Sequence, residues 1–204
     1  MRQILCSWIG DNDLKSLRTN EPHHGPIYGL LSSDYTDDVR HVCLLGTRQK
    51  RTEKEAFADF LRGRFDKEFS LFIHDFEDPT DFHNIYEAVR KTTDTVQTKD
   101  KQGISWSFYI SPGTSHMAAV WLLLGKTIYS ARLLQAFYNK ETEEQRVSEV
   151  DIPFSIDAEY IPRRIVENRD SALLEKWSII PEFVEIKQDS SVMKRILSKA
   201  YQVA

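Results

Sequence analysis

Ser111-Pro112-Gly113-Thr114-Ser115-His116 is the stretch whose residue types best suit one chemistry, the holding of a phosphate. Gly113 permits a positive φ and a close approach of backbone to ligand. Thr114 and Ser115 carry hydroxyls. The helix read from Ser115 to Lys126 would begin here and leave N–H groups unpaired and partly positive. The same residues also fit an N-capped turn between strand and helix with no ligand. His116 stands where it could act as acid or base on a phosphodiester, or be an ordinary first-turn residue. No Gly-Lys-Ser/Thr ends the turn and no G-x-G-x-x-G occurs in it, which disfavours ATP hydrolysis and dinucleotide redox chemistry.

A second loop qualifies by position, Ser7-Trp8 followed by Gly10-Asp11-Asn12-Asp13. In an open parallel sheet, ligands bind beyond the carboxyl ends of the strands, where strand order reverses. Trp8 could stack on a base if it pointed up from its strand, and is otherwise a core residue like Trp106 and Trp121. Other candidates are weaker. Adjacent His23 and His24 point different ways, and with Asp11 or Asp13 they lack a recognised metal-ligand spacing. His74-Asp75 closes a strand, as polar support for the cleft or simply exposed. No Ser/His/Asp order of the nucleophile-elbow type is present.

Those loops must be positioned by a regular frame. Apolar runs at 3–9, 39–45, 68–74 and 104–110, then "YSARLLQAFY" and "RVSEVDI", read as six strands. Helical patterns lie between them: a short "IYGLL" after Gly25-Pro26, a stripe of Ala56, Phe57, Phe60 and Leu61, and "DPTDFHNIYEAVRKTTDTV" with Asp78 as cap. A polar stretch with no helical signal fills the space before His24. "MAAVWLLLG" is apolar all round, which implies burial against the sheet and a second layer, or at a dimer interface. Alternation of this kind predicts an α/β fold, a Rossmann-like, doubly wound, mainly parallel sheet of about six strands. The last third mixes prolines with short helical pieces and ends in a helical extension.

At 204 residues, 41% hydrophobic and 28% charged, the chain has ordinary globular values. Its net charge of −4, with no basic run, argues against sequence-independent DNA binding. Cys6 and Cys43 sit in apolar strands, as buried thiols of a reducing compartment would. Neither a signal peptide nor a membrane span is visible, and the expected location is cytoplasmic.

"ILCSWIGDNDL", "GPIYGLL", "DPTDFHNIYEAV", "YISPGTSHMAAVWLLLGKTIYSARLLQA" and "DIPFSIDAEYIP" together resemble the sensory N-terminal domains of RtcR-like sigma-54-dependent transcriptional regulators. Those sensors are CARF-type (CRISPR-associated Rossmann-fold) domains. The tail "SSVMKRILSKAYQVA" is similar to the first helix of the AAA+ ATPase that follows in such regulators. The resemblance implies a ligand-sensing domain over 1–178, then a linker and first AAA+ helix over 179–204. It implies a homodimer that binds an RNA-derived or cyclic oligonucleotide phosphate and controls the attached ATPase. No cofactor, membrane or direct promoter DNA contact is implied for this chain. The ligand residues it implies are Ser7, Trp8, Gly10, Asp11, Asp13, Ser111, Pro112, Gly113, Thr114, Ser115 and His116. A binding module is expected rather than an enzyme. The alternatives are a ring nuclease or phosphodiesterase that degrades such a ligand, and a dimerisation module with an empty cleft.

Overall fold

Short β-branched and aromatic runs separated by amphipathic helices fold here as the alternation predicts. A computed structural model describes residues 1–21, 24–99, 103–139 and 144–152. In chain order the elements are β1 (Arg2–Trp8), α1 (Asp11–Arg18), α2 (Pro26–Leu31), a 3-10 turn (Asp34–Thr36), β2 (Val39–Thr47), α3 (Arg51–Arg62), β3 (Glu68–His74) and α4 (Phe82–Lys99). Then come β4 (Ile104–Tyr109), α5 (Ser115–Thr127), β5 (Arg132–Asn139) and β6 (Glu144–Glu149). The last third, with the 178/179 boundary and the helical extension, lies outside the described residues, as does His23.

The six strands form one sheet in the order β3-β2-β1-β4-β5-β6. All neighbours run parallel except β5 and β6, which are antiparallel. The chain winds outward from β1 through β2 to β3, then crosses back to lay β4 on the other side of β1. Strand order therefore reverses between β1 and β4, which makes that junction the switch point of a doubly wound Rossmann-like sheet.

Side chains alternate across the sheet, so each strand feeds two cores. Leu5, Val42, Leu44 and Tyr109 join Leu14 of α1, Ile27 and Leu30 of α2, and Phe57 and Leu61 of α3 in one buried cluster. The opposite face packs on α4 and α5. There Phe108 meets the Trp121 ring at 4.4 Å, and Trp106 lies edge-on to Tyr129. Gly125 is what lets α5 lie so close, since a Cβ there would come within 2.8 Å of Leu133 and 3.1 Å of Phe108. Trp8, Trp106 and Trp121 are all buried, and the buried, free thiols Cys6 and Cys43 face each other in register across β1 and β2.

Two local readings need correction. The polar stretch after β1 holds a helix, α1, whose two-turn length and lone Leu14/Leu17 stripe give too short a period to see. Asp13 helps it start, its Oδ2 accepting the N–H of the N-cap residue Gly10 at 3.0 Å. The long helix α4 is capped by Asp81, which accepts from the N–H groups of His83 and Asn84, and not by Asp78, which binds Thr80 instead. On the helix "MAAVWLLLG", Met117, Val120, Trp121 and Leu124 are covered while Leu123 is half exposed.

Candidate functional site

Because β1 and β4 are neighbours, the loops that leave their carboxyl ends meet. A Cβ added to Gly10 would stand 3.1 Å from the Gly113 nitrogen. Gly113 has φ +95, a conformation that side-chain-bearing residues rarely adopt. Its open side is tight as well, with Met117 Sδ 2.7 Å and Trp8 Cβ 3.3 Å from where a Cβ would sit.

Thr114 starts α5. Its Oγ1 accepts from the Met117 N–H at 3.3 Å and donates to Pro79 O at 2.8 Å, tying the loop after β4 to the entry of α4. The Thr114 N–H points to Met117 Sδ at 3.5 Å. Of the first-turn N–H groups of α5, those of Ser115 and His116 remain for an external acceptor. Thr114→Ala removes the cap and the tether together. The melting temperature should fall by the equivalent of about 1–2 kcal/mol, which thermal denaturation followed by circular dichroism would read.

A crevice of about 200 Å³ lies over this junction, lined by Trp8, Ile9, Gly10, Asp11, Thr47, Gln49, Lys50, Lys54, Pro79, Gly113, Thr114 and Met117. Five of the residues named from sequence thus converge: Trp8, Gly10, Asp11, Gly113 and Thr114. The rest stand elsewhere. Ser7 is buried with its hydroxyl on Trp8 O. The Trp8 ring is 1% exposed and lies edge-on to Phe76, so it is a wall of the site and not a stacking platform. Pro112 is buried beneath the turn. Ser111 binds the β5 backbone, accepting from Ala136 N at 2.7 Å. His116 packs its ring on Phe82 at 4.9 Å and does not line the crevice.

Asp13 is buried beneath the loop. Its Oδ2 accepts from Gly10 N at 3.0 Å and its Oδ1 from Ile27 N at 2.8 Å, so one carboxylate fixes the starts of α1 and α2. Burial pushes its pKa up to about 7, against the pull of those N–H groups. His74 supports the same region from β3, its Nε2 2.9 Å from Thr92 Oγ1, with burial lowering its pKa to about 4.

Sequence reasoning missed the contribution of β2 and α3: Thr47, Gln49, Lys50 and Lys54. Ser111, Asn12, Lys15, Glu21, His24 and Gln145 line a second cavity, of about 450 Å³, beside α1. Among the described residues no group of three or more His, Cys, Asp or Glu is placed to hold a metal ion, and no helix is long and apolar enough to cross a membrane.

No family model matches the chain, and no curated protein matches it. Among solved structures it is similar to Enterococcus italicus Csm6 bound to cyclic hexa-2'-fluoro-hexa-dAMP, at 16% identity and a TM-score of 0.53, over 87% of this chain and 47% of that one. It also aligns with Can2 from Sulfobacillus thermosulfidooxidans in complex with cyclic tetra-adenylate, at 10% identity and a TM-score of 0.47, over 98% of this chain and 57% of that one. The chain spans about half the length of the solved structures it matches. The Csm6 likeness is one of fold, a six-stranded, mostly parallel α/β sheet of Rossmann type.

Proposed function

We propose that this chain is a CARF-type sensing domain that binds the phosphates of a cyclic or RNA-derived oligonucleotide at the crevice over Gly113. The observation that carries the reading is the convergence at the switch point. There a positive-φ glycine, Gly113, the Thr114 cap of α5 and two lysines line one small cavity, and the first-turn N–H groups of Ser115 and His116 follow directly after Thr114. The Csm6 likeness supports a CARF-type assignment, because that structure holds a cyclic oligonucleotide. In the RtcR-like regulators whose sensor the sequence resembles, ligand binding would control an attached AAA+ ATPase and, through it, sigma-54 RNA polymerase. Homodimerisation belongs to the same reading, supported by the half-exposed apolar side chains Phe82 and Tyr86 on α4 and Leu123 and Ile128 on and after α5.

Binding without cleavage is the reading favoured, because His116 turns to Phe82 rather than to the crevice. Calorimetry with cyclic tetra- and hexa-adenylate and with short RNA ending in a 2′,3′-cyclic phosphate tests it. Micromolar binding of at least one ligand, recovered intact after hours of incubation, is the expected result. Linear products that vanish in His116→Ala would establish the nuclease instead. No binding below about millimolar by any of the three would sink the reading.

A further inference from the structure

Lys54 is a buried cation with no carboxylate in direct contact. Its side chain runs from α3 beneath the carboxyl end of β2 and is 6% exposed. The ammonium donates to Thr47 O at 3.0 Å, Thr47 Oγ1 at 3.1 Å and Gln49 O at 2.7 Å. All three acceptors are neutral. Burial depresses its pKa, and the attraction of the nearby Asp11 and Glu53 carboxylates does not offset that desolvation. Packing alone explains the stem, which fills the space beside Gly46. It does not explain the charge, because an apolar side chain of that length would fill the space without the desolvation cost.

Lys50 precedes α3 with φ +53, a left-handed conformation that a lysine adopts at a steric cost. That conformation sends its ammonium across the crevice to Asp11 Oδ1, 2.7 Å away. Both partners are well exposed, at 42% and 80% of the side chain, so the pair is weak and easily exchanged. Lys50, Lys54 and Asp11 all line the crevice that Gly113 and Thr114 close from the other side. Together they leave it one net positive charge on a chain whose total is −4.

We infer that Lys50 is the cationic ligand of a phosphate group, that Lys54 is a fixed positive charge beneath it, and that Asp11 is a displaceable stand-in for the phosphate at Lys50. This rests on the phosphate-binding reading of the crevice and deepens it. Lys54 supplies a fixed charge at the floor. Lys50 exchanges the Asp11 carboxylate for a phosphate oxygen, and Asp11 competes with the ligand for the same ammonium. Each lysine is a point charge without the two-pronged geometry of arginine, which suits a tetrahedral anion approached from one side.

The test uses the full chain, with inorganic pyrophosphate and cyclic tetra-adenylate as probes, titrated between 50 and 300 mM salt. Asp11→Asn should tighten pyrophosphate binding by about 5-fold at the lowest salt, since it removes the competing charge. Lys54→Met should weaken binding of both probes by at least about 10-fold and reduce the slope of log affinity against log salt by about one. Lys50→Met should weaken them less, because in the parent the contact from Lys50 to phosphate forms only by breaking the Lys50–Asp11 pair. Should Lys54→Met fail to fold, Asp11→Asn, a surface change, decides alone. Unchanged pyrophosphate affinity in Asp11→Asn overturns the inference, as does a folded Lys54→Met that binds like the parent. If those variants match the parent while Gly113→Val abolishes binding, the crevice reading stands and the lysine assignment falls. If the parent chain binds neither probe, both fall.

Discussion

Asp13→Ala should destabilise the protein by about 2–5 kcal/mol. The substitution leaves the N–H groups of Gly10 and Ile27 buried without an acceptor, and each such loss costs about 1–3 kcal/mol. It also unpins the starts of α1 and α2 from each other, so the loop that forms one side of the crevice loses its anchor. Chemical denaturation of the two proteins at pH 5 measures the difference. A change under about 0.5 kcal/mol would show that the carboxyl is not the link between the helices.

The same residue makes stability depend on pH in a direction that can be worked out. Its pKa is raised from 3.8 to about 7 in the folded state. Below about pH 4 the carboxyl is neutral in both states, so folding buries no charge there and this contribution to stability is at its fullest. As pH rises from there the unfolded chain ionises first, so stability falls until the folded state also ionises near 7. The loss is on the order of 4 kcal/mol. His74 works oppositely between about pH 4 and 6.5, because its lowered pKa makes the folded state lose stability as pH falls. The readable quantity is therefore the difference between the parent and Asp13→Asn. At pH 5 the asparagine protein should be the less stable, having one acceptor too few. By pH 8 the gap should close or reverse, since the parent then buries a charge. A gap that is constant with pH would contradict a titrating Asp13.

Gly113→Val should abolish binding at the crevice, a loss of at least about 100-fold, or roughly 3 kcal/mol. Two effects act in the same direction. A β-branched residue does not tolerate φ +95, so the turn must change conformation. Its Cβ would also meet Met117 Sδ at 2.7 Å, and Met117 is what holds the first turn of α5 against the Thr114 cap. Gly113 is exposed and outside the core, so the fold should survive. Calorimetry with cyclic tetra-adenylate on a protein of unchanged circular dichroism separates lost binding from lost structure. Retained affinity would place the ligand elsewhere.

The parts of this molecule that could be read from sequence are those whose signal is local. All six strands were visible as apolar runs, and β3 falls at the residues expected. The Gly113 turn and Thr114 cap could be read because their chemistry lies within four residues. What escaped depends on contacts distant in sequence. Nothing near Asp13 indicates that its other oxygen will receive the Ile27 N–H, 14 residues on. Lys50 and Lys54 stand in "KRTEKE", a charge-rich opening to a helix that reads as a solvated face. They become part of the site because β2 pairs with β1, which brings the loop after β2 alongside Gly10 and Asp11. In the sequence, Ser7 and Trp8 are candidates only by their nearness to the loop. Strand alternation instead directs one towards the α1–α3 face and the other towards α4, leaving the Trp8 ring as wall.

The central claim is that phosphate is held by the first turn of α5 and the lysines facing it. Backbone amide resonances report that directly. On titration with cyclic tetra-adenylate, the N–H signals of Gly113, Ser115 and His116 should show the largest shifts in the protein, with those of Gly10 and Asp11 following and saturating at the same ligand ratio. Large shifts confined to residues away from the loops after β1 and β4, or none at millimolar ligand, would contradict the account.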